Sequence, residues 1–242
     1  MNLLLYPSWE QRKLGEVATF SKGNGYSKSD LVDFGNPIIL YGRLYTKYET
    51  IINHVDTFVL ETENSVISKK NEVIVPASGE SSEDISRASV VDKSGIILGG
   101  DLNIIQPFNF IDSIFLALTI SNGSQKKEMA KRAQGKSIVH LHNSDLRKVN
   151  LVFPKLVEQQ KIGAFFKQLD SVITQNERKI DLLKQLKQAY LQKIFSQALR
   201  FAGFSDDWKE SKAKYLFIPM NERKREDLPV LSVTQDRCNI SQ

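Results

Sequence analysis

Hydrophobic residues in the first part of the chain occur in short runs that Gly, Asn and Ser interrupt. The runs at residues 37–40, 72–75 and 95–98 are rich in β-branched side chains, and residues 149–153 form a similar run. Such runs, bounded by turn-forming residues, are typical of β-strands. The pattern therefore predicts a sheet-rich first domain.

Two helices are predicted between the third and fourth of these strands. Asp112 or Ser113 can cap a helix that ends at residues 122–123. Ser124 can then cap a second helix, which is basic. Strands that are followed by helices and by one more strand indicate an α+β domain. We assign this domain to residues 1–155.

The pattern changes after Pro154. Residues 158–199 contain no proline and a single glycine, Gly163, and their apolar residues recur at alternating steps of four and three. This spacing is typical of a helix that packs along another helix. We assign residues 156–200 to such a spacer or dimerisation helix, which at 1.5 Å per residue would be roughly 60 Å long. The predicted pairing positions are Ile162, Phe166, Leu169, Ile173, Asn176, Ile180, Leu183, Tyr190 and Ile194.

Two positions in this repeat are polar, Asn176 and Lys187. Polar residues weaken packing at such positions but can fix register and partner orientation. The alternative is that the helix lies along its own domain. A domain of about 155 residues has a radius of gyration of about 15 Å, so a helix of this length would extend beyond it. We therefore expect a helical partner.

Residues 204–212 resemble residues 6–13, with Trp208 at an offset of 199 positions from Trp9. The repeated unit would be one domain plus one long helix, which indicates that a second domain begins here. The roughly 35 residues after Trp208 are too few to bury an independent core. We assign residues 201–242 to the truncated start of a second domain.

Composition adds little to this picture. The formal net charge of +5 fits an anionic partner without requiring one. The single cysteine, Cys238, excludes an internal disulfide and a cysteine-built zinc site, and it favours a cytoplasmic location. No run of about 18 apolar residues occurs, so the sequence predicts no membrane association.

The positive charge is concentrated between Asn122 and Asn150, where seven basic residues accompany two acidic ones. Lys127, Lys131 and Gln134 have the spacing of one helix face, which could bind DNA phosphates and present polar groups to base edges. The alternative is a solvated helix face without a ligand. The DNA-binding candidates in this segment are Lys126, Lys127, Lys131, Arg132, Gln134, Lys136 and Ser137.

A second candidate surface lies at residues 41–48, where tyrosines alternate with cations. Arginine can pair with guanine through two hydrogen bonds, and tyrosine can contact bases or phosphates. Arg43, Tyr45 and Lys47 are therefore DNA-binding candidates. The alternative is that these tyrosines are half-buried packing groups of an α+β domain.

No residue is predicted to be catalytic. The loop at residues 76–84 places Ser78 among acidic residues, but no nucleophile motif surrounds this serine. We interpret the segment as a polar loop whose carboxylates bind backbone amides and Arg87. His140 and His142 have no third ligand near them in the sequence, so no metal site is predicted.

Cofactor motifs are also absent from the sequence. Neither a phosphate-binding glycine loop nor a dinucleotide-binding glycine fingerprint occurs. Residues 99–103 are predicted to form a tight turn into a strand rather than a metal site.

The order of short motifs resembles the specificity subunits of type I restriction-modification enzymes. The motifs are Trp-Glu-Gln-Arg-Lys-Leu-Gly-Glu at residues 9–16, Tyr-Gly-Arg-Leu-Tyr-Thr-Lys-Tyr at 41–48, Pro-Ala-Ser-Gly-Glu at 76–80, Leu-Gly-Gly-Asp-Leu-Asn at 98–103, Ala-Gln-Gly-Lys-Ser-Ile-Val-His-Leu at 133–141, and Glu-Gln-Gln-Lys-Ile at 158–162. Ser78, in the third of these motifs, is a further DNA-binding candidate.

The resemblance implies a non-catalytic subunit that recognises double-stranded DNA. A full subunit of this family has two target-recognition domains, and their long helices pair antiparallel to set the distance between the halves of a bipartite DNA site. Methyltransferase (M) subunits and a restriction/translocase (R) subunit would assemble on it. This chain would bind no cofactor and no metal, because S-adenosylmethionine, ATP and magnesium would be bound by those partners.

The resemblance covers one target-recognition domain and only the beginning of another. Three interpretations stay open. The chain is a half-subunit that forms a homodimer through its long helix, a fragment of a split or phase-variable gene, or an inactive remnant that acts only as a helical assembly protein.

Overall fold

The chain divides into two compact units, Met1–Ile180 and Asp181–Gln242. The computed structural model describes residues 9–135, 138–218, 231–232 and 240–241. Two of the DNA-binding candidates, Lys136 and Ser137, lie outside these residues.

The first unit contains thirteen strands among its described residues. The predicted strands at residues 37–40, 72–75, 95–98 and 149–153 are confirmed as the third, seventh, tenth and thirteenth strands along the chain. The strands are β1 (Glu10–Lys13), β2 (Ala18–Lys22), β3 (Asn36–Ile39), β4 (Ile51–Ile52), β5 (Phe58–Val59), β6 (Ile67–Lys69), β7 (Glu72–Pro76), β8 (Ser78–Gly79), β9 (Ser89–Val91), β10 (Ser94–Leu98), β11 (Leu102–Pro107), β12 (Val139–His140) and β13 (Asn150–Phe153).

Helices lie mainly in the second half of this unit. Short 3-10 helices occur at Leu14–Glu16 and Lys28–Asp30. The α-helices are α1 (Arg43–Thr46), α2 (Ser113–Ser121), α3 (Gly123–Arg132), α4 (Asn143–Leu146) and α5 (Leu156–Phe195), the last of which begins in the first unit.

A five-stranded sheet in the order β2-β11-β7-β9-β4 separates two hydrophobic cores. Every residue of β7 is buried, because both faces of this strand are covered. Val73 and Val75 contribute to one core, whereas Ile74 points to the other, as the two-residue period of a strand requires. A strand that is buried on both faces appears in the sequence as a continuous apolar run.

A four-stranded sheet in the order β5-β3-β10-β6 packs against the second core. Ile39 and Leu98 of this sheet share that core with Ile74 and Ile104 of the five-stranded sheet. Strand β10 leads directly into β11 through a turn that contains Asp101, whose backbone is left-handed with a φ of 58°. The predicted tight turn is confirmed, and it joins the two sheets.

Helices α2 and α3 cover the first core with Phe115, Leu116, Ile120 and Met129. The predicted cap of α2 is confirmed, since the Asp112 carboxylate accepts a hydrogen bond of 2.8 Å from the backbone N–H of Phe115. An N-cap carboxylate satisfies one of the free amides at a helix start.

The predicted cap of α3 was wrong. This helix begins at Gly123, one residue before Ser124, and Asn122 occupies the cap position without a side-chain hydrogen bond. Gly123 adopts a φ of 68°, which lets the chain pass directly from α2 into α3. The Ser124 hydroxyl donates instead to the side chain of Gln125.

The long helix α5 begins beside a ribbon in which β1 pairs antiparallel with β13, so that Glu10 lies opposite Phe153. The side chain of Gln159 in its first turns is fully buried. Its amide nitrogen donates to the carbonyls of Phe110 (3.2 Å) and Pro154 (2.8 Å), and its oxygen accepts from the N–H of Asp112 at 2.9 Å. These bonds fasten the helix start to the segment that precedes α2.

Two further residues let α5 approach the domain closely. Ile162 is half-buried and packs on the first core. Gly163 is buried, and a Cβ atom there would lie only 3.2 Å from Asp112 Oδ1 and 3.3 Å from Ile114 Cβ. Ile162, predicted as a pairing position, is therefore in contact with its own domain.

The later pairing positions are different. Phe166, Leu169, Ile173, Ile180, Leu183 and Tyr190 are exposed in the described structure, with Ile173 at 55 % of its full accessibility. Between its first turns and Ile180, α5 therefore does not lie along its own domain. Within the described residues, no helix is long and apolar enough to cross a membrane.

The second unit contains the end of α5, a short helix α6 (Ala213–Leu216) and the strands β14 (Leu231–Ser232) and β15 (Ile240–Ser241), which pair antiparallel. Helix α5 ends at Phe195, five residues before the predicted end at 200, because Gln197 turns into a left-handed conformation with a φ of 63°. The edge of the Trp208 ring lies against Phe195, with 6.0 Å between the ring centroids.

Helix α6 begins 199 residues after the 3-10 helix Leu14–Glu16, at the offset of the predicted repeat. Residues 6–8, 219–230 and 233–239 lie outside the described residues. The assignment of residues 201–242 to the start of a second domain therefore stays a prediction.

Candidate nucleic-acid interface

An open cleft of about 1570 Å³ lies in the first unit. The segments that line it are the loop before β3, the helix α1, the strand β8 with the loop that follows it, and the turn between β10 and β11. Side chains that the cleft brings together include those of Tyr41, Tyr45, Lys47, Ser78, Glu80 and Arg87.

Pairing of β8 with β12 brings a third segment to this cleft. His140 lies opposite Ser78, and the Ser78 hydroxyl is 3.2 Å from His140 Nδ1. Ile138, which precedes β12, lines the cleft and is exposed. The structure thus joins parts of three segments that the sequence analysis treated separately: residues 41–48, 76–84 and 133–141.

Tyr45 is held at the wall of the cleft. Its hydroxyl donates to the Ser78 carbonyl at 2.9 Å, and its ring meets Tyr41 edge-to-face with 6.4 Å between centroids. Burial, followed by the nearby negative charge of Asp84, raises the pKa of the Tyr45 hydroxyl well above its usual range. Tyr45 is therefore a neutral hydrogen-bonding group at any physiological pH.

Arg43 was predicted to contact DNA, but its guanidinium group is bonded within the domain. It donates to Asp56 at 2.8 Å, to Glu49 at 2.7 Å and to the His54 carbonyl at 2.9 Å. Its side chain is only 8 % exposed. In the free chain α1 therefore turns Arg43 inward against acidic side chains of residues 49–56, and its contact with DNA stays a prediction.

Lys47 lines the cleft but is also ion-paired. Its ammonium group lies 2.8 Å from Asp56, and both side chains are half exposed. Hydrogen bonds from Lys47 and then Arg43 lower the pKa of the Asp56 carboxyl to about 2. Lys47 can exchange this partner for a phosphate, since an exposed ion pair contributes little to stability.

The basic helix α3 presents two of its predicted cations to solvent. Lys127 and Lys131 are exposed, and Lys126 is half-buried. Arg132 instead bonds to Glu128 at 2.8 Å, and the same carboxylate accepts from the backbone N–H of Asn150 at 3.1 Å. This network joins α3 to β13 and occupies part of the Arg132 guanidinium group, so a DNA contact by Arg132 stays a prediction.

Gln134 also differs from its prediction. Helix α3 ends at Arg132, and Ala133 is extended, so Gln134 does not continue the face of Lys127 and Lys131. Its backbone pairs with that of His140 in an isolated bridge. Its side chain is exposed and remains a candidate contact.

Arg87 lines the cleft although it was not among the predicted DNA-binding residues. The loop interpretation is confirmed in part, since the Asp84 carboxylate accepts from Arg87 at 2.8 Å and from the Ser81 hydroxyl at 2.7 Å. These two bonds, with the positive charge of Arg87 and Lys126, lower the pKa of Asp84. No local signal marks Arg87, because only the folded loop brings it to the cleft beside Tyr45.

The two histidines stack with 6.4 Å between ring centroids and nearly parallel planes. Within the part of the chain that the structure describes, no group of three or more His, Cys, Asp or Glu side chains could hold a metal ion. The prediction that this chain binds no metal or cofactor stays a prediction.

Comparison with known proteins gives a family for this fold. Residues 7–185 match the family model described as type I restriction modification DNA specificity domain. The type I restriction enzyme MjaVIII specificity subunit of Methanocaldococcus jannaschii is 19 % identical over 166 residues, which are 65 % of this chain and 38 % of that protein.

Solved structures share the fold at low sequence identity. The S subunit of a type I restriction-modification system from M. genitalium has a TM-score of 0.56 and 17 % identity, over 81 % of this chain and 48 % of that one. The HsdS subunit from Thermoanaerobacter tengcongensis has a TM-score of 0.50 and 19 % identity, over 82 % and 47 %. These structures confirm the predicted α+β domain followed by one long helix.

The chain spans less than half the length of each of these relatives. The family model nevertheless covers most of this chain, from before β1 into the second half of α5. The resemblance carried by the sequence motifs is therefore confirmed, and the chain belongs to the type I restriction-modification DNA specificity domain family.

Proposed function

We propose that this chain is a sequence-specific DNA-binding specificity subunit of a type I restriction-modification complex. The observation that carries the proposal is the family match over residues 7–185, which includes both the domain with its cleft and much of the long helix. In this proposal the chain is not an enzyme by itself. It directs methyltransferase and endonuclease subunits to a bipartite site on double-stranded DNA.

The charge distribution of the first unit supports DNA binding. Lys127 and Lys131 are exposed cations on α3, and Lys47 and Arg87 line the cleft, where each is also paired with a carboxylate. Cations of this kind bind phosphates without regard to sequence, whereas side chains that reach base edges provide specificity. The cleft combines both kinds of group.

The exposed face of α5 supports a helical partner. Large apolar side chains at Phe166, Ile173, Ile180 and Leu183 would lose exposed area by pairing with another helix. Asn176 donates to the Val172 carbonyl of its own helix at 2.9 Å, so its amide is partly satisfied without a partner. We propose that the partner helix comes from a second copy of this chain or from a further specificity chain.

The remaining parts of the assembly follow from the same proposal. Methyltransferase subunits and a restriction/translocase subunit dock on the specificity scaffold. S-adenosylmethionine, ATP and magnesium are bound by those subunits, and the complex acts on DNA in the cytoplasm.

Selection from a random duplex library tests this function. The full chain, alone and with a methyltransferase subunit, should enrich a motif with two half-sites. The control is an α5 variant, Ile173→Asp with Ile180→Asp, which should lose pairing but keep the fold of the first unit, as circular dichroism would show. A chain that pairs through α5 but enriches no motif in either condition would contradict the DNA-binding function and favour a helical assembly protein.

A further inference from the structure

Arg87 occupies a defined position at the wall of the cleft. One of its terminal nitrogens donates to Asp84 at 2.8 Å, and its guanidinium carbon lies 5.8 Å from the centroid of the Tyr45 ring. The side chain is 33 % exposed, so one part is fixed by the protein and another part faces the cleft.

The groups that hold Arg87 are themselves held. The Tyr45 hydroxyl donates to the Ser78 carbonyl, and the Asp84 carboxylate accepts from the Ser81 hydroxyl. The next residues along the chain from Asp84, Ile85 and Ser86, are fully buried. The guanidinium group is therefore oriented before any ligand arrives, which reduces the conformational entropy that binding would cost.

Arg87 differs from the other cations at this site. Among the described residues that line the cleft, the arginines are Arg43 and Arg87, and Arg43 is only 8 % exposed and donates to two carboxylates and a carbonyl. In the described part of the chain, the only hydrogen-bond partner of Arg87 is Asp84. Because a guanidinium group has five N–H donors, an edge of Arg87 is left to bind a ligand.

Charge around Arg87 favours a base over a phosphate. Glu80 and Asp84 line the same cleft, and hydrogen bonds from Ser81 and Arg87 keep Asp84 ionised. The Asp84 carboxylate, 2.8 Å from Arg87, offsets the attraction of this arginine for a phosphate but does not repel the neutral edge of a base. Guanine presents two acceptors, O6 and N7, in the major groove, which match the fork of an arginine.

We propose that Arg87 reads one guanine of the target DNA through O6 and N7, and that Asp84 and Tyr45 act as positioning residues for it. This inference rests on the proposed function and names a specificity-determining residue within it. The conservative variant R87K keeps the charge but loses the planar fork, so it should relax the preference at one base pair without abolishing binding.

Arg12 provides a matched control. It also pairs with a carboxylate, that of Glu10, and its guanidinium carbon is also 5.8 Å from an aromatic centroid, that of Phe110. It lies on β1, away from the residues that line the cleft. R12K therefore makes the same chemical change in a similar environment outside the proposed site.

The experiment compares the full-length wild type, R87K, D84N and R12K, each alone and with a methyltransferase subunit. The motif selected by each is determined, and affinity is then measured on duplexes in which each guanine of the wild-type motif is replaced in turn by 7-deazaguanine, which lacks the N7 acceptor. Circular dichroism checks that each variant is folded.

We expect R87K to lose about 5- to 100-fold of the preference at one G·C pair. Replacement of that guanine by 7-deazaguanine should weaken the wild type and R12K about tenfold but leave R87K nearly unchanged. D84N should reduce the same preference without weakening binding to random duplex, because it removes a negative charge while releasing the arginine. Should R87K not fold, D84N and the 7-deazaguanine series on the wild type decide the question.

Two outcomes overturn the inference while the proposed function stands. In the first, R87K selects the wild-type motif as stringently as R12K does. In the second, R87K weakens binding equally to all sequences with a smaller salt dependence, which is the behaviour of a phosphate contact. Failure of the wild type to select any motif would instead overturn the proposed function together with this inference.

Discussion

The guanidinium group of Arg43 joins α1 to the two loops that flank β4. It bonds to Glu49 before this strand and to His54 and Asp56 after it, while its own side chain is almost completely buried. A buried cation with several charged partners contributes to stability mainly because its removal leaves those partners unpaired.

Replacement of Arg43 by methionine, which keeps the apolar part of the side chain, should lower the free energy of unfolding by about 2 kcal/mol. The matched change Lys47→Met removes an ion pair whose members are both half exposed, and it should cost less than about 1 kcal/mol. Urea unfolding followed by circular dichroism measures both. Equal stability of R43M and the wild type, with loss of DNA selection in R43M, would show instead that Arg43 reads DNA.

The Asp56 carboxyl makes the same segment sensitive to acid. Hydrogen bonds from Lys47 and Arg43 lower its pKa from 3.8 to about 2 in the folded chain, so folding favours the ionised form. The stability that this group provides is fully present above pH 4 and is lost as the pH falls from about 4 to about 2.

The wild type and D56N should therefore differ in unfolding midpoint at pH 5 and converge as the pH approaches 2. The measurement is a series of urea titrations from pH 5 to pH 2. A constant difference between the two proteins over this range would show that Asp56 is not the group responsible. D33N, which changes an exposed carboxylate elsewhere in the first unit, is the control.

At the scale of single residues, the sequence identified the segments of the site better than its side chains. Tyr45, Lys47 and Ser78 do line one cleft. The carboxylates that bind Arg43 reach it only in the folded chain, whereas the Glu128–Arg132 pair has the i,i+4 spacing of a helix ion pair and could have been expected from the sequence. Arg87 was not predicted to line the cleft, because its neighbour Tyr45 is distant in the sequence and only folding brings the two together.

At the scale of elements, the junction between the domain and α5 depends on one buried amide. Gln159 satisfies backbone groups of Phe110, Asp112 and Pro154. The next residue, Gln160, is exposed. Two adjacent glutamines therefore differ completely in environment.

Replacement of Gln159 by alanine removes three hydrogen bonds, one buried and two part-buried, and should reduce the free energy of unfolding by about 3 kcal/mol. The control Q160A should change it by less than about 0.5 kcal/mol. Urea unfolding of the full chain measures the difference. Equal effects of the two substitutions would contradict the role of Gln159 as the anchor of the helix.

Periodicity predicted the long elements and not the short ones. The apolar runs of β7 and β10 and the repeat in α5 were visible because each extends over several residues. Strands β8 and β12 contain two residues each and carry no alternation, and their pairing is fixed only by tertiary contacts. The order of strands within the sheets was likewise beyond local reasoning, because it depends on which runs meet in the folded core.

At the scale of the whole molecule, the localised charge predicts how DNA binding depends on salt. Lys127 and Lys131 are exposed on α3 and are available to phosphates. Each phosphate contact contributes about 0.9 to the slope of log affinity against log salt concentration. The double variant K127Q/K131Q should therefore bind with a slope smaller by roughly 2 and should keep the selected motif.

Lys69 and Lys93 provide a control with the same change of charge. They are exposed near one end of the four-stranded sheet, where the Ser68 hydroxyl bonds to the Lys93 carbonyl. Fluorescence titration at several salt concentrations gives the slope for each protein. A slope that falls equally in both double variants would show that only net charge matters and that α3 is not a specific binding face.

The anchor at Gln159 also has a mechanical consequence. Residues 156–180 of α5 lie in the first unit and span about 37 Å at 1.5 Å per residue. A change of only about 5° in the angle at the helix base would displace residue 180 by about 3 Å, which is close to the rise of one base pair. If the chain has the proposed function, the three hydrogen bonds of Gln159 at the helix base would limit this angular change and so the error in the distance between DNA half-sites.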